Sequence, residues 1–100
     1  MTEKIILFGR LGTNPELRYT QRQEPVCKFP LAEQSATEDK AIWHQVIVWG
    51  KQAEHCNLYL KKGIPVFVRG QNHIREFTTT DGEKKSITEF KAENIGFTFS

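Results

Sequence analysis

The sequence has only a small excess of positive over negative charge, and it has no long hydrophobic stretch. Its fourteen Lys and Arg residues face twelve Asp and Glu residues, and the net charge of +2 is too small to indicate a nucleic-acid partner from totals alone. No apolar run approaches the roughly 20 residues that span a bilayer. The first ten residues, MTEKIILFGR, lack the cleavage site of a signal peptide. We therefore expect a cytoplasmic protein with no membrane partner.

Cysteine and histidine are too few and too scattered to predict a zinc or catalytic site. Cys27 and Cys56 form no C-x-x-C pair and have no nearby Cys/His quartet, so we expect both to be small, reduced hydrophobic residues. His55 precedes Cys56 directly, and on a helix this spacing points the two side chains to different faces. Paired carboxylates, a nucleophile elbow and a phosphate-cradling lysine loop are missing. The sequence predicts no enzyme, no metal site and no cofactor.

The residues that are present predict a single globular domain over residues 1–100. An apolar share of 38% and a charged share of 26% are typical of such a domain, and 100 residues are too few for a second core. Short runs rich in β-branched and aromatic residues predict five strands, at residues 4–8, 26–32, 42–49, 66–79 and 84–97. Pro30 cannot donate to a strand ladder, so it predicts an edge position or a bulge in the second strand.

The period of the apolar residues changes after the third strand. Ala53, Cys56 and Leu60 recur at the helical spacing of about 3.6 residues, and Gly63 ends the helix. Gly9 follows the first strand and predicts a sharp bend, as needed where one strand serves both sides of a small barrel. Five strands with one α-helix between strands 3 and 4 predict an all-β fold, the five-stranded Greek-key barrel called the OB-fold.

Side chains alternate across a strand, so residue parity sorts each strand into two faces. One face of the third strand carries Trp43, Gln45, Ile47 and Trp49. One face of the fourth strand carries Phe67, Arg69, Gln71, His73, Arg75 and Phe77. Surfaces that bind single-stranded nucleic acid typically alternate cations with aromatic rings, because the cations neutralise phosphates while the rings stack on bases. Further cations that would extend the positive surface are Arg10, Lys51, Lys61 and Lys62.

Other interpretations of these residues remain open. Aromatic side chains at period two also occur in cores and in cross-strand packing, and the stripe would then be the interface of an oligomeric interaction module. Lys61 and Lys62 in the last turn of the helix also complement its dipole. The combination of aromatic rings with Arg69 and Arg75 on one stripe favours nucleic acid.

Four stretches of the chain carry specific motifs: GRLGTNPELRYT, PVCKFPLAEQ, WHQVIVWGKQAEHCNLYLKKGIPVFVRGQ and TTTDGEKKSITEFKAENI. They begin at Gly9, Pro25, Trp43 and Thr78, and they cover nearly the whole chain in order. A Gly-x-Leu-Gly and Pro-Glu-x-Arg-Tyr opening joined to Trp-His-x-Val and Gly-Lys-x-Ala-Glu is a rare combination. With these motifs the sequence resembles the bacterial single-stranded DNA-binding protein family.

The resemblance implies an OB-fold that binds single-stranded DNA with little sequence preference and assembles as a homo-oligomer, a tetramer or a dimer. The positions that match the base-stacking rings of the family are Trp43, Trp49 and Phe77. A further tryptophan of the family falls near Thr37, where this chain has a shorter loop with Glu38 and Asp39 and no aromatic residue. We therefore expect weaker binding or a smaller site. Gln45 replaces a frequent arginine, and Arg69 brings a positive charge where some members are acidic.

Family members typically continue past the barrel into a flexible linker and an acidic tip that docks replication and repair enzymes, whereas this sequence stops at Ser100. We expect either a trimmed domain or a naturally short relative. A short relative would resemble primosomal replication protein N, which uses the same barrel as a dimer in replication restart. Those proteins usually diverge at the Trp-His and Gly-Lys-x-Ala-Glu blocks, so the presence of both blocks here favours the single-stranded DNA-binding group.

We therefore predict a non-enzymatic protein that binds single-stranded DNA independently of sequence in replication, recombination or repair. The predicted base-stacking residues are Trp43, Trp49 and Phe77. The residues predicted to contact phosphates or to make other polar contacts are Arg10, Lys51, Lys62, Arg69, Gln71, His73 and Arg75. The predicted partners are single-stranded DNA, further copies of the chain and replication-restart proteins, in the cytoplasm at the nucleoid. An adaptor of the primosomal type and an oligomeric protein-interaction module are the alternatives.

Overall fold

The structure is a computed structural model that describes residues 4–34 and 40–97. The described residues form β1 (Ile5–Leu11), β2 (Glu16–Tyr19), β3 (Pro25–Gln34), β4 (Ala41–Trp49), α1 (Lys51–Tyr59), β5 (Pro65–Thr78) and β6 (Lys84–Phe97). The chain is thus mostly β, as predicted. Within these ranges no helix combines the length and the apolar character that crossing a membrane requires.

One sheet contains all six strands and closes on itself. Its order is β1-β5-β6-β4-β3-β2, and a further pairing between β1 and β3 closes β1, β5, β6, β4 and β3 into a ring. Neighbours in the ring are antiparallel except β4 and β6, which are parallel. This arrangement confirms the predicted five-stranded barrel, because closing the ring removes the sheet edges that an open sheet would expose.

The strand count differs from the prediction, because Glu16–Tyr19 forms a strand of its own. This short strand, β2, pairs with the beginning of β3 and lies outside the ring. The helix therefore follows the fourth strand rather than the third, although it lies between the same two segments of sequence as predicted. A run of four alternating residues is too short to stand out by its period, and only the pairing with β3 makes it a strand.

The expectation that Pro30 marks an edge strand or a bulge is wrong. β3 pairs with β4 in one uninterrupted register from Val26 to Gln34, and on its other side it pairs first with β2 and then with β1. Pro30 lies where the partner changes from β2 to β1, and its carbonyl accepts the amide of Gly12 at 2.9 Å. The proline is tolerated there because the pairing with β2 ends at Lys28 and the pairing with β1 begins at Leu31, so the N–H that it lacks falls in the gap between the two ladders.

Gly9 and Gly70 allow the strands to approach closely where the barrel bends. A Cβ at Gly9 would lie 2.2 Å from the carbonyl oxygen of Ala32 on β3, and one at Gly70 would lie 2.0 Å from that of Lys91 on β6. Gly9 is the residue of β1 at which pairing with β3 begins, while pairing with β5 continues. This confirms that β1 contributes to both sides of the barrel, as predicted from Gly9.

The interior of the barrel is filled by the inward-facing residues of every ring strand and by one side of α1. Val46 and Val48 from β4 meet Val66 and Val68 from β5, and all four are fully buried. The remaining buried members of this core are Leu7, Leu11, Cys27, Phe29, Leu31, Ala53, Cys56, Leu60, Phe90 and Ala92. The core holds the strands at a fixed register and thereby determines which outward-facing side chains become neighbours.

Cys27 and Cys56 are both free and buried in this core, as the sequence predicts. Burial raises the pKa of Cys27 to about 11 and that of Cys56 to about 12, with the neighbouring Cys27 thiol adding to the shift at Cys56. Both side chains are therefore protonated at neutral pH, and neither presents the thiolate that nucleophilic or redox chemistry requires.

Candidate nucleic-acid interface

β4 presents the predicted mixed face to the outside of the barrel. Val46 and Val48 point inward, whereas Trp43 and Trp49 at the two ends of the strand are 60% and 39% exposed. Ile47 lies on the same outer face and is almost covered by its neighbours. An indole ring combines an apolar body with a polar N–H, so two half-exposed indoles suit a surface that receives a flat, partly polar ligand.

β6 lies beside β4, and its outer face continues the surface toward β5. The register places Ile47, Lys91 and Gln71 in one row across the three strands, and Glu89 lies directly opposite His73. We call the resulting depression the β4–β6–β5 groove. It is lined by Ile47, Trp49, Gln71, His73, Arg75, Glu89 and Lys91. The groove thus brings together four of the predicted site residues, namely Trp49, Gln71, His73 and Arg75.

Beyond the barrel, β5 and β6 continue as a two-stranded arm, which we define as residues 72–88. Every residue from Asn72 to Thr78 and from Lys84 to Thr88 is exposed. The arm is closed by backbone hydrogen bonds between Thr79 and the turn that follows it, where Gly82 has a φ of 87° that favours glycine. A second groove near its tip is lined by Glu76, Phe77, Thr78, Lys84, Lys85 and Ser86. The arm therefore carries the third predicted ring, Phe77, away from the two tryptophans.

Arg75 connects the groove to the ring of Phe77. Its Nε donates a hydrogen bond of 2.9 Å to Oε1 of Glu89, and its guanidinium carbon lies 5.6 Å from the centre of the Phe77 ring. A cation at this distance over an aromatic face is attracted by the negative face of the ring. Arg75 is therefore held on two sides by protein groups, which the sequence stripe alone does not indicate.

Trp43 lies at the opposite end of β4 from Trp49. The two residues are six positions apart on one strand, a separation of about 20 Å at 3.3 Å per residue. The Trp43 ring packs over Gly12, where a Cβ would come within 2.4 Å of the ring and 3.4 Å of the Pro30 side chain. The two indoles therefore mark the ends of one outer face, a spacing that suits a ligand spread along the strand rather than a compact molecule.

Arg10 and Lys62 lie together at a different place, near the loop that follows α1. Nη1 of Arg10 donates to the carbonyl of Gly63 at 2.8 Å, and the amide of Lys62 donates to Oδ1 of Asn14 at 2.9 Å. Arg10 pairs with the first residue of β5, six positions before Gln71, which is about 20 Å along the strand. The structure does not bring these two cations to the groove.

Arg69 and Lys51 flank the groove without lining it. Arg69 lies opposite Ile6 of β1 and donates to Oδ1 of Asn94 at 3.3 Å. Lys51 is exposed as the first residue of α1, two positions after Trp49. Both are cations at the border of the outer face, Arg69 toward β1 and Lys51 toward the helix.

Two acids at the borders of the surface stay ionised at neutral pH. A hydrogen bond from the Thr79 hydroxyl holds the pKa of Asp81, at the tip of the arm, below its usual range. A hydrogen bond from Lys4 is the largest cause that lowers the pKa of Glu93. Asp81 therefore carries a negative charge at the tip of the arm, whereas the charge of Glu93 is paired with that of Lys4.

Three residues of the outer face were missed by the sequence reading: Lys28, Glu89 and Lys91. Lys28 of β3 and Lys91 of β6 flank Ile47 on its two sides. Glu89 is buried beneath Arg75. Strand parity places Lys28 opposite to Cys27 and Phe29, which is a usable signal. For Glu89 and Lys91 parity fails, because a bulge at Glu93 reverses the alternation of β6: Asn94 faces outward with Arg69, and Lys91 faces outward with Gln71.

His44 is not part of this outer face. It is half-buried, and its Nε2 lies 3.1 Å from Oε1 of Glu33. Among residues 4–34 and 40–97 no group of three or more His, Cys, Asp or Glu side chains is arranged to hold a metal ion.

The chain that builds this outer surface matches a known protein family. Residues 2–98 match the model of the single-strand binding protein family. The chain belongs to this family. The match spans all six strands and α1, and it therefore includes every residue of the β4–β6–β5 groove and of the arm.

Curated relatives agree with the family match. The chain is 36% identical over 94 residues to single-stranded DNA-binding protein 1 of Chlorobaculum tepidum, which covers 86% of this chain and 58% of that protein. It is 33% identical over 99 residues to the single-stranded DNA-binding protein of Xylella fastidiosa, which covers 92% of this chain and 60% of that protein. The chain thus spans about three fifths of the length of these bacterial relatives.

One expectation drawn from the family concerns the loop between β3 and β4. The missing aromatic residue near Thr37 and the acidic residues Glu38 and Asp39 fall in residues 35–39, which lie outside the described part of the chain. The weaker binding or smaller site expected from this loop therefore stays a prediction. The roles assigned to individual DNA-contacting residues likewise stay predictions, now sorted by their position in the fold.

Proposed function

We propose that this chain binds single-stranded DNA without sequence preference, as a non-enzymatic protein of bacterial replication, recombination or repair that acts in the cytoplasm at the nucleoid. The observation that carries the proposal is the β4–β6–β5 groove, where Trp49 lies beside Gln71, His73 and Lys91. A flat apolar ring next to a cation and to neutral hydrogen-bonding groups suits a base and its phosphate, and stacking on a ring tolerates any base because every base has a flat π-face. Family membership supports the same function.

The strand would run along the outer face between the two indoles. Trp49 and Trp43 would each stack on a base, and Phe77 on the arm would stack on a third, each contributing about 1–3 kcal/mol to binding. Lys91 and Lys28 lie on the face between the indoles and would neutralise phosphates, with Lys51 and Arg69 at its borders. Because Arg10 and Lys62 lie about 20 Å from Gln71 along β5, they would contact DNA only where the strand continues past the groove.

Tryptophan fluorescence tests this proposal directly, because the chain contains only two tryptophans and both lie on the outer face of β4. Addition of poly-thymidine should quench the fluorescence, and the logarithm of the affinity should fall with the logarithm of salt concentration by about 0.7 per neutralised phosphate. Trp43→Phe leaves Trp49 as the reporter, and Trp49→Phe leaves Trp43. Absence of quenching in both variants at low salt would overturn the stacking proposal.

The alternative of a protein-interaction module is separated by Phe77→Ala. If Phe77 stacks on DNA, the variant binds poly-thymidine more weakly and keeps the oligomer mass of the unaltered protein. Tyr59→Ala is the matched control, since Tyr59 is an exposed ring on α1 that lies outside the groove and the arm. A change of oligomer mass in Phe77→Ala with unaltered DNA affinity would favour the interaction module.

The proposal includes assembly into a homo-oligomer. Ile6, Phe8 and Phe67 form an exposed apolar patch on the outer face of β1 and β5, with the rings of Phe8 and Phe67 4.8 Å apart. In the described part of the chain β1 pairs with β3 only from Gly9 onward, which leaves the Ile5–Phe8 segment with one unpaired edge. An unpaired edge beside an apolar patch suits a two-fold contact between copies.

Sedimentation measures this assembly. Phe8→Glu should reduce the oligomer mass, because it places a charge in the centre of the patch. Ile74→Glu is the matched control, since Ile74 is also a large, exposed and apolar residue of a strand but lies on the arm. If Ile74→Glu dissociates the oligomer and Phe8→Glu does not, copies meet through the arm instead. The same runs distinguish a dimer from a tetramer.

A further inference from the structure

Glu89 is an unexpected residue in a surface that receives a polyanion. It is 4% exposed, and among the described residues it is the one charged side chain that the protein buries. It lines the β4–β6–β5 groove, directly opposite His73 and two positions from Lys91 on the same strand. A carboxylate in this position repels phosphate and costs free energy to bury unless it is paired. Its partner therefore indicates what the residue does.

The partner is Arg75, whose Nε lies 2.9 Å from Oε1 of Glu89. The arginine side chain is half-exposed, so one edge of the guanidinium is bound to the carboxylate while the rest of the group faces solvent at the groove. The guanidinium carbon lies 5.6 Å from the centre of the Phe77 ring. Glu89, Arg75 and Phe77 thus form a chain of contacts that leads from the buried wall of the groove onto the exposed arm.

We propose that Glu89 is a positioning residue that holds the Arg75 guanidinium beside Phe77, so that the guanidinium plane and the ring form a ready-made stacking platform for bases. This inference rests on the proposed function and deepens it. Arg75 then acts on bases rather than on phosphates, because its charge is already balanced by the buried carboxylate. A guanidinium plane stacks on a base as an aromatic ring does, and a side chain fixed beforehand loses less entropy when the base arrives.

The sign of one substitution separates this proposal from a purely electrostatic role. Glu89→Gln keeps the shape of the side chain and removes a negative charge from the groove, so charge alone predicts tighter DNA binding. The positioning role predicts the opposite, because a neutral amide lacks the ionic attraction of a carboxylate and therefore holds the guanidinium less firmly. We expect poly-thymidine affinity to fall by roughly threefold to tenfold.

Glu76→Gln is the matched control. Glu76 lies next to Arg75 on β5, is exposed, and has the strand parity opposite to that of Arg75 and Phe77. Glu76→Gln removes one negative charge from the adjoining arm without touching the contact between Glu89 and Arg75, so binding should stay equal or tighten by about twofold at most. Equal strengthening by Glu76→Gln and Glu89→Gln would overturn the proposal.

A double-variant cycle and the salt dependence test whether Glu89 acts through Arg75. In an Arg75→Ala background Glu89→Gln should no longer weaken binding, because the group that it positions is gone. Arg75→Lys keeps the charge and loses the plane, so it should weaken binding as much as Arg75→Ala, with the salt slope unchanged in both. A loss of about 0.7 in the slope for Arg75→Ala, with near-normal binding by Arg75→Lys, would instead make Arg75 a phosphate contact.

The geometry also has a readout that does not involve DNA. In the unaltered protein the Nε–H proton of Arg75 should give a resolved NMR signal that exchanges slowly with water, and Glu89→Gln should speed this exchange at least severalfold. If the unaltered protein quenches with poly-thymidine but the Arg75 proton exchanges like that of a free arginine, only the positioning role fails. If the unaltered protein does not bind poly-thymidine while the proton is protected, the proposed function fails and the stacking platform fails with it.

Discussion

The two halves of β5 belong to one strand and yet serve different purposes. From Pro65 to Gly70 burial alternates, with Val66 and Val68 fully buried beneath exposed neighbours, whereas from Asn72 onward every residue is exposed. The first half pairs with β1 and β6 inside the ring, and the second half pairs with β6 alone. β5 therefore contributes to the buried core at one end, and at the other end it exposes the side chains to which the proposed function assigns the ligand.

The strongest test carries this division between barrel and arm over to β6, where Phe90 belongs to the barrel core and Ile87 belongs to the arm. Phe90 is 1% exposed and reaches into the barrel, while Ile87 is exposed. Phe90→Ala should lower the free energy of unfolding by about 3–5 kcal/mol, because it leaves a cavity in the core. Ile87→Ala should cost less than about 1 kcal/mol. Denaturant unfolding measures both, and similar losses would contradict the division.

A second test uses exposed rings, for which we expect a loss of DNA binding with little loss of stability. Trp49→Ala and Phe77→Ala should each weaken binding of poly-thymidine by about 1–3 kcal/mol, since each removes a stacking ring. Because both side chains are partly exposed, the free energy of unfolding should change by less than in Phe90→Ala, by about 1 kcal/mol at most. Fluorescence anisotropy of a labelled oligonucleotide and denaturant unfolding measure the two effects, and a loss of stability as large as that of Phe90→Ala would place these rings in the core.

The two buried thiols make the stability of the protein depend on pH. The pKa values of Cys27 and Cys56 are raised to about 11 and about 12 in the folded protein, above the value of about 8.5 expected in the unfolded chain. The folded state therefore binds more protons than the unfolded state above pH 8.5, and stability falls as pH rises through this window, by up to about 1.4 kcal/mol per pH unit for each thiol.

Unfolding between pH 8 and pH 11 checks this prediction against a Cys27→Ala, Cys56→Ala double variant. Lysine and tyrosine titrations are common to both proteins, so the thiol contribution is the difference between their slopes. The variant should lose less stability than the unaltered protein over this range. Equal slopes would mean that neither thiol is held protonated by the core.

The smallest expected effect concerns the cations. Lys91→Gln should reduce the slope of log affinity against log salt by about 0.7, because Lys91 lies in the groove between Trp49 and Gln71. Lys62→Gln should leave the slope unchanged for a short oligonucleotide, since its loop lies at the far end of β5. A larger loss of slope in Lys62→Gln than in Lys91→Gln would instead support the extended positive surface that the sequence alone suggests.

Much of the architecture follows from local patterns. Period-two runs identify the five ring strands, and the shift to a period of 3.6 at Ala53 and Cys56 identifies α1, because a residue's side of a strand or helix is set by backbone geometry. The exposed faces of β4 and β5 follow from the same rule. This rule does not identify β2, and it predicts an edge or a bulge at Pro30 that the structure does not have. Both features depend on which strand lies alongside.

The assembly of the site was decided by the tertiary structure. Sequence alone identified Trp43, Trp49 and the Gln71 to Phe77 stripe as surface residues, and its motifs pointed to the family. It did not separate Arg10 and Lys62 from the groove, and it did not bring in Lys91 or the buried Glu89. Those neighbours are set by strand register over separations of tens of residues and by the bulge at Glu93, which reverses the faces of β6. Parity is a local property of the chain, whereas adjacency across a closed barrel is not.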